Sequence, residues 1–110
     1  MTTFDNREKD FEAKFKHDDE LKFKVTVRRN KLLGLWAAEK LGLDADAAGA
    51  YARQVIESDF EEPGEEDVFR KVFGDLEAKG MGISEHEVRK QMEELMDTAQ
   101  KQIMEDVRTD

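Results

Sequence analysis

Apolar side chains recur every three or four positions through the last quarter of the chain, and this spacing constrains the fold more than any other feature. The series comprises Val88, Met92, Leu95, Met96, Ala99, Ile103 and Val107. Because an α-helix has about 3.6 residues per turn, the spacing predicts a long helix with one apolar face. Ser84 and Glu87 form a capping-box pattern at its start. Such a helix needs other helices to cover its apolar face.

Similar spacing, interrupted by signals that end and begin helices, predicts three more helices upstream. Gly42 is expected as the C-terminal cap of the first, and Asp44 or Asp46 as the N-cap of the second. Pro63 lies in the acidic turn 61–67, which separates the second helix from the third.

The predicted fold is an all-α four-helix bundle with a flexible N-terminal arm. At 110 residues the chain has the size of one domain with a modest core. Amphipathic helices joined by short loops are typical of such a bundle. The arm comprises residues 1–19 and the bundle residues 20–110. The bundle helices are expected at about 21–42, 45–60, 65–79 and 84–107.

Two packing predictions concern the first and second helices. Small residues on the second helix, Ala48, Gly49 and Ala52, indicate that another backbone approaches it closely. The core stripe of the first helix is expected to hold Leu21, Val25, Arg28, Leu32, Leu35, Trp36 and Glu39, widened by Phe23, Val27 and Leu33. Trp36 is therefore expected to be buried, with its indole N–H paired.

The composition argues against enzyme chemistry, a metal site and a bound cofactor. The chain has no cysteine, and its two histidines, His17 and His86, lie in no catalytic or metal-binding motif. We therefore predict that the protein is not an enzyme, and that it uses no metal and no cofactor. No apolar run approaches the roughly 20 residues of a membrane span, so we expect a cytoplasmic protein without membrane insertion.

Charge is distributed unevenly along the chain, whose net charge is −9. Residues 1–43 carry 10 basic and 8 acidic side chains, whereas residues 44–110 carry 8 basic and 19 acidic ones. So acidic a chain is a poor binder of nucleic acid. Any anionic partner would have to meet the one basic stretch, which comprises Lys22, Lys24, Arg28, Arg29 and Lys31. The alternative is that this stretch is the solvated face of the first helix.

Three phenylalanines stand in the otherwise polar first twenty residues. Phe4, Phe11 and Phe15 are spaced by seven and four, which places their rings on one stripe if the segment is helical. Acid-then-base pairs four apart favour that helix by about 0.2–0.5 kcal/mol each. The pairs are Asp5 with Lys9, Asp10 with Lys14, and Glu12 with Lys16. A lone helix of this length is marginal in water. The segment is therefore a binding arm, an extension packed on the bundle, or a disordered tail.

Several blocks of the sequence closely resemble the zeta-subunit family of alphaproteobacterial F-type ATP synthases. The fairly specific block is Arg28-Arg29-Asn30-Lys31-Leu32-Leu33-Gly34, continued by Leu35-Trp36-Ala37-Ala38. The other blocks are Thr3-Phe4-Asp5-Asn6-Arg7-Glu8, Glu12-Ala13-Lys14-Phe15, Phe23-Lys24, Tyr51-Ala52, Val55-Ile56, Asp67-Val68 and Lys71-Val72. The resemblance covers most of the chain.

The resemblance implies an inhibitor of ATP hydrolysis by the catalytic head of the synthase. Members of this family are four-helix bundles whose N-terminal segment is flexible when free and becomes helical inside a catalytic interface near the rotor. The implied partners are the alpha, beta and gamma subunits of the head, through which the protein associates with the membrane-bound synthase. The implied partner-binding residues are Phe4, Asp5, Arg7, Glu8, Lys9, Phe11, Glu12, Lys14 and Phe15. The phenylalanines would anchor the segment, while Arg7, Lys9 and Lys14 would pair with acidic groups.

Two alternatives from other functional classes stay open. One is a nucleotide-sensing or protein-interaction helical module that uses the basic stretch at residues 22–31. The other is an oligomerisation bundle, although the inhibitor interpretation predicts a monomer when the chain is free.

Overall fold

The computed structural model describes residues 19–59 and 65–109, with side chains as far as Val107. These residues form four α-helices, which are α1 (Asp19–Lys40), α2 (Ala45–Ser58), α3 (Glu66–Ala78) and α4 (Glu85–Thr109). No strand occurs in the described ranges, and the predicted all-α four-helix fold is confirmed. Residues 1–18 lie outside the described residues, and so does the prediction that they are flexible.

The helices end and begin at residues that the sequence marks as caps. Gly42 follows α1 with φ = 75°, a left-handed backbone conformation that glycine adopts without strain. The side chain of Asp44 accepts a hydrogen bond of 2.8 Å from the Ala47 backbone N–H and so caps the start of α2. Before α4, the Ser84 hydroxyl accepts a hydrogen bond of 3.1 Å from the Glu87 N–H. This bond is the N-cap half of the predicted capping box.

Helix α1 packs against each of the other three helices, most extensively against α2 and α4. Its contact with α2 is close at Gly34, where an added Cβ would lie 2.6 Å from the Cα of Ala52. The backbones can approach this closely because Gly34 has no side chain and Ala52 has only a methyl group. The predicted close approach at Ala52 is therefore confirmed. Gly49 takes no part, since a Cβ there would meet nothing within 4 Å.

The larger of two hydrophobic clusters joins α1, α2, α3 and the first half of α4. Its buried members are Leu33, Ala37, Ala38, Tyr51, Val55, Val68, Phe69, Val72, Leu76, Val88 and Met92. At its edge the Tyr51 hydroxyl donates a hydrogen bond of 2.8 Å to Asp75, which links α2 to α3. Burial raises the pKa of Tyr51 well above its usual range, and the hydrogen bond and charge of Asp75 act in the same direction. The hydroxyl therefore keeps the proton that it donates.

A smaller hydrophobic cluster joins the start of α1 to the last turns of α4. Its buried members are Leu21, Val25, Ala99 and Ile103, and Leu32 and Met96 pack against it. The first half of α1 is thus covered by α4, and the second half belongs to the larger cluster. As a consequence Asp19, where the described chain begins, lies near the C-terminal end of α4.

The buried face of α1 differs from the predicted stripe. Arg29, Asn30 and Gly34 are buried, whereas Leu35 is exposed. Trp36 is partly buried at the border of the larger cluster, and the Lys40 ammonium lies 5.1 Å from the centroid of its ring. The prediction of a buried Trp36 is therefore wrong. The close crossing places Gly34 at the contact with α2, so the inward face of α1 contains Gly34 beside Leu33 and leaves Leu35 outside.

Candidate partner-binding site

The arm residues that the sequence singles out cannot be placed by the structure. Phe4, Asp5, Arg7, Glu8, Lys9, Phe11, Glu12, Lys14 and Phe15 all lie outside the described residues. Their roles stay predictions. The described part of α1 begins at Asp19, directly after the segment that contains them.

The structure distributes the five cations of the basic stretch over different sides of α1. Lys22, Lys24 and Lys31 are exposed, and the Lys24 ammonium lies 3.8 Å from a carboxylate oxygen of Glu20. Arg28 points toward α4, where its guanidinium donates hydrogen bonds to Gln102 at 2.7 Å and to Asp106 at 3.4 Å. Lys24, Arg28 and Lys31 therefore lie beside the end of α4, whereas Lys22 lies elsewhere on α1. Contact with an anion at these residues stays a prediction.

Arg29 differs from its neighbours because its side chain is only 2% exposed. Its Nε donates a hydrogen bond of 2.7 Å to the side-chain oxygen of Asn30, and its Nη1 donates one of 3.1 Å to Glu65. Burial of a cation is tolerated when an anion and hydrogen bonds compensate for lost hydration. Arg29 thus joins α1 to the residue that precedes α3. The interpretation of the whole stretch as a solvated face is wrong at this residue.

A groove with a volume of about 360 Å³ lies between the first half of α1 and the C-terminal end of α4. It is lined by Phe23, Lys24, Val27, Arg28, Lys31, Ile103, Asp106 and Val107. Apolar side chains from both helices form its walls, and charged side chains stand along its borders. We call this surface the α1–α4 groove.

Sequence reasoning assigned the apolar residues of this groove to the core. The side chain of Phe23 is 55% exposed and that of Val107 is 41% exposed, although both fit the helical spacing of core positions. One signal could have separated them, since Phe23, Val27 and Lys31 are spaced by four and form a row distinct from the buried face. The pairing of this row with the end of α4 has no signal in the local sequence.

The arrangement of the titratable side chains on the described surface bears on metal binding and proton transfer. No group of three or more His, Cys, Asp or Glu side chains within residues 19–59 and 65–107 is arranged to hold a metal ion. The shifted carboxyl pKa belongs to Glu66, whose pKa is lowered chiefly by a hydrogen bond from Arg89 and also by its charge. This is an ion pair between α3 and α4 and not a proton-transfer site. Over the part of the chain described, no helix combines the length and hydropathy of a membrane span.

Comparison with known proteins relates the predicted arm and the bundle to one family. The sequence matches the family described as ATPase inhibitor subunit zeta over residues 1–102, a range that includes the predicted arm. No curated protein matches the chain. One matching protein, whose structure was solved by NMR in solution, is 52% identical with a TM-score of 0.70. That match covers 78% of this chain and 98% of the other. The chain thus belongs to the ATPase inhibitor subunit zeta family.

Proposed function

We propose that this protein inhibits ATP hydrolysis by the catalytic head of an F-type ATP synthase. In this proposal residues 1–19 insert as a helix into a catalytic interface near the rotor, and the bundle carries them. The observation that supports it is the family match, which extends from residue 1 to residue 102 and so includes the three phenylalanines as well as the bundle. An inhibitor of this kind needs no reactive group of its own, because it acts by blocking a rotary cycle.

The chemistry of the segment suits a groove between protein subunits. Burial of a phenylalanine ring contributes roughly 1.5–3 kcal/mol, and the segment presents three rings at helical spacing. Part of this gain is offset by the cost of ordering the chain on binding. Arg7, Lys9 and Lys14 would pair with acidic groups at the interface, while Asp5, Glu8 and Glu12 would meet basic ones. The partners in this proposal are the alpha, beta and gamma subunits of the head.

The position of the bundle helices is compatible with an extended N-terminal helix. Helix α1 is described from Asp19 onward, so residues 1–18 connect directly to this helix. The segment is therefore continuous in sequence with the most extensively packed helix of the bundle. The direction of the inserted segment would then be set by α1.

Deleting residues 1–19 tests the proposal directly. We expect the deletion to abolish inhibition of ATP hydrolysis by the isolated catalytic head. We expect it to leave the thermal unfolding of the bundle nearly unchanged, because both hydrophobic clusters among the described residues already connect the helices. The measurements are the hydrolysis rate at increasing inhibitor concentration and a melting curve followed by circular dichroism. Inhibition that survives in a folded deletion variant would refute the role of the segment.

Single substitutions test which residues anchor the segment. Phe11→Ala or Phe15→Ala should weaken inhibition far more than Thr2→Ala, since only the phenylalanines lose apolar area that the interface buries. The three variants are compared by the concentration that halves the hydrolysis rate. Equal effects would place the anchors elsewhere in the chain.

The nucleotide-sensing alternative has no comparable support among the described residues. It requires the cations of the basic stretch to converge on one phosphate group. Arg29 is instead buried against Asn30 and Glu65, and Arg28 is bonded to α4. Titration of ATP, followed by the fluorescence of Trp36, remains the direct test of this alternative.

A further inference from the structure

The α1–α4 groove concentrates exposed apolar surface at one place on the bundle. Five large apolar side chains are exposed among the residues whose burial is described, and two of them, Phe23 and Val107, line this groove from opposite sides. Leu35, a third, is also on α1 but does not line the groove. Exposed apolar side chains that are grouped in this way are typical of a protein interaction site.

The charges that border the groove oppose the net charge of the chain. The lining carries three cations, Lys24, Arg28 and Lys31, and one carboxylate, Asp106. The chain as a whole has a net charge of −9. The Lys24 ammonium lies 3.8 Å from a carboxylate oxygen of Glu20. Arg28 is bonded to Gln102 and Asp106, whereas Lys31 is exposed at the border. Charge complementarity therefore favours an occupant that carries carboxylates beside its apolar side chains.

The shape of the groove suits a helix better than an extended strand. Its long sides are two helices, so the backbone groups beside it are already paired within α1 and α4 and offer no strand edge to an extended peptide. An amphipathic helix places apolar side chains at helical spacing and can insert them between Phe23 and Val107. A volume of about 360 Å³ is near the lower end of the range of about 300–1,000 Å³ for binding pockets. The groove is therefore large enough for a short stretch of such a helix.

The groove also lies next to the root of the inhibitory segment. Phe23 is four residues from Asp19, which is about one helical turn, so any molecule in the groove is close to the residue that follows residues 1–18 in the sequence. We propose that the α1–α4 groove binds an acidic, amphipathic helix of the catalytic head. This inference rests on the proposed function and adds a second contact to it. The bundle then holds the head while the N-terminal segment inserts.

Substitutions at the groove in the full chain test this second contact. We expect Phe23→Ser and Lys31→Glu each to raise the inhibitor concentration for half-inhibition about tenfold. Maximal inhibition at saturation should remain, because residues 1–19 are intact. The matched controls are Met81→Ser, an apolar residue 38% exposed in the loop before α4, and Lys90→Glu, an exposed lysine on α4. Both controls should behave as the unchanged chain does.

The possible outcomes test the groove proposal separately from the inhibitor proposal. If the groove variants inhibit like their controls, the groove proposal is overturned and the inhibitor proposal stands. If the unchanged chain does not inhibit, the proposed function fails, and direct binding of the same variants to the purified head then decides about the groove. Circular dichroism verifies the fold of each variant. Lys31→Glu alone carries the test if Phe23→Ser unfolds, because Lys31 lies on the exposed side of α1.

A cross-link identifies what occupies the groove. A photoreactive side chain replaces Val107, and the full chain is irradiated together with the purified catalytic head. Adducts with the alpha, beta or gamma subunit, located on an acidic helix, are the expected result. Adducts confined to residues 1–18 of the same chain or to a second copy of the chain, or no adducts at all, overturn the proposal.

Discussion

Arg29, a buried arginine, joins α1 to the start of α3 through partner side chains that differ in their exposure to solvent. Arg29 is almost inaccessible to solvent, whereas the side chain of its partner Glu65 is 56% exposed. The second partner, Asn30, is buried with the arginine. In this ion pair the guanidinium of Arg29 is therefore shielded from water, whereas the carboxylate of Glu65 remains hydrated. Its contribution depends mainly on the guanidinium, which has no water to replace a lost acceptor.

Removing this side chain should destabilise the bundle much more than removing an exposed lysine of the same helix. We expect Arg29→Ala to lower the free energy of unfolding by about 2–4 kcal/mol, because Asn30 loses its hydrogen-bond donor and a buried volume empties. Lys22→Ala is the control and should change it by less than about 0.5 kcal/mol. Urea denaturation measures both. Similar values for the two variants would contradict a structural role for Arg29.

Two glycines within helices should respond in opposite ways to the same substitution. Gly34→Ala places a Cβ 2.6 Å from the Ala52 backbone, so the helices must separate, and we expect a loss of about 1–3 kcal/mol. Gly74→Ala in α3 meets no atom within 4 Å and should stabilise the bundle by about 0.5–1 kcal/mol. The urea concentration at the midpoint of unfolding, measured for both variants, tests these two expectations. A stabilising Gly34→Ala would show that α1 and α2 can separate without cost.

At the scale of elements, α3 and α4 are joined by Arg89. Its guanidinium donates one hydrogen bond of 3.1 Å and one of 3.2 Å to the two carboxylate oxygens of Glu66. The same side chain donates to Glu85 at 3.3 Å and lies 3.9 Å from the centroid of the Phe69 ring. Hydrogen bonds to Glu66 raise the pKa of Arg89 and lower that of Glu66. A planar guanidinium fits this combination of carboxylate and ring, whereas a lysine ammonium does not.

The lowered pKa of Glu66 predicts a dependence of stability on pH. A carboxyl group whose pKa is lower in the folded state stabilises the fold while ionised, and this contribution is lost as the pH falls through the lowered pKa. Glu66→Gln should therefore be less stable than the unchanged chain at neutral pH. The difference should shrink as the pH falls from neutral through the lowered pKa. The difference in stability is measured from the urea concentration at the midpoint of unfolding at several pH values between neutral and acidic. Glu93→Gln is the control. A difference that does not vary with pH would mean that the Glu66 charge has no part in it.

The elements themselves could be predicted from the sequence, because their signals are local. Spacing of three and four marks each helix, and Gly42, Asp44 and Ser84 mark ends that the structure confirms. The inward face of α1 could not be predicted in the same way. Counting large apolar residues favoured Trp36 and Leu35, but the crossing at Gly34 selects small side chains. Which face a helix buries depends on the partner backbone and not on hydropathy alone.

At the scale of the whole molecule, the candidate site arises from two segments far apart in the chain. Phe23 and Val107 meet in the groove across more than 80 residues. Phe23 and Val107 each occupy a position with the helical spacing of core residues. The sequence therefore predicted both as core residues and did not predict their exposure. The family resemblance, in contrast, depended on whole blocks of sequence, and the match over residues 1–102 confirmed it.

The charge of the molecule predicts that free copies remain apart. With a net charge of −9 and 19 acidic residues after residue 43, two copies repel each other over most of their surfaces. We expect sedimentation equilibrium to give a monomer at low and at moderate ionic strength. A mass that rises with protein concentration would instead support the oligomerisation alternative.

The contact between the start of α1 and the end of α4 affects where a reporter group can be attached. Leu21 packs near Ile103 in the smaller cluster, so a fluorescent protein or affinity tag fused after α4 would stand close to the first described residues of α1, which follow the proposed inhibitory segment. Such a fusion would crowd the segment. Ser84 is 19 residues from Ile103 along α4, a separation of about 28 Å. A dye attached in the loop before α4 would therefore report on the protein with far less interference.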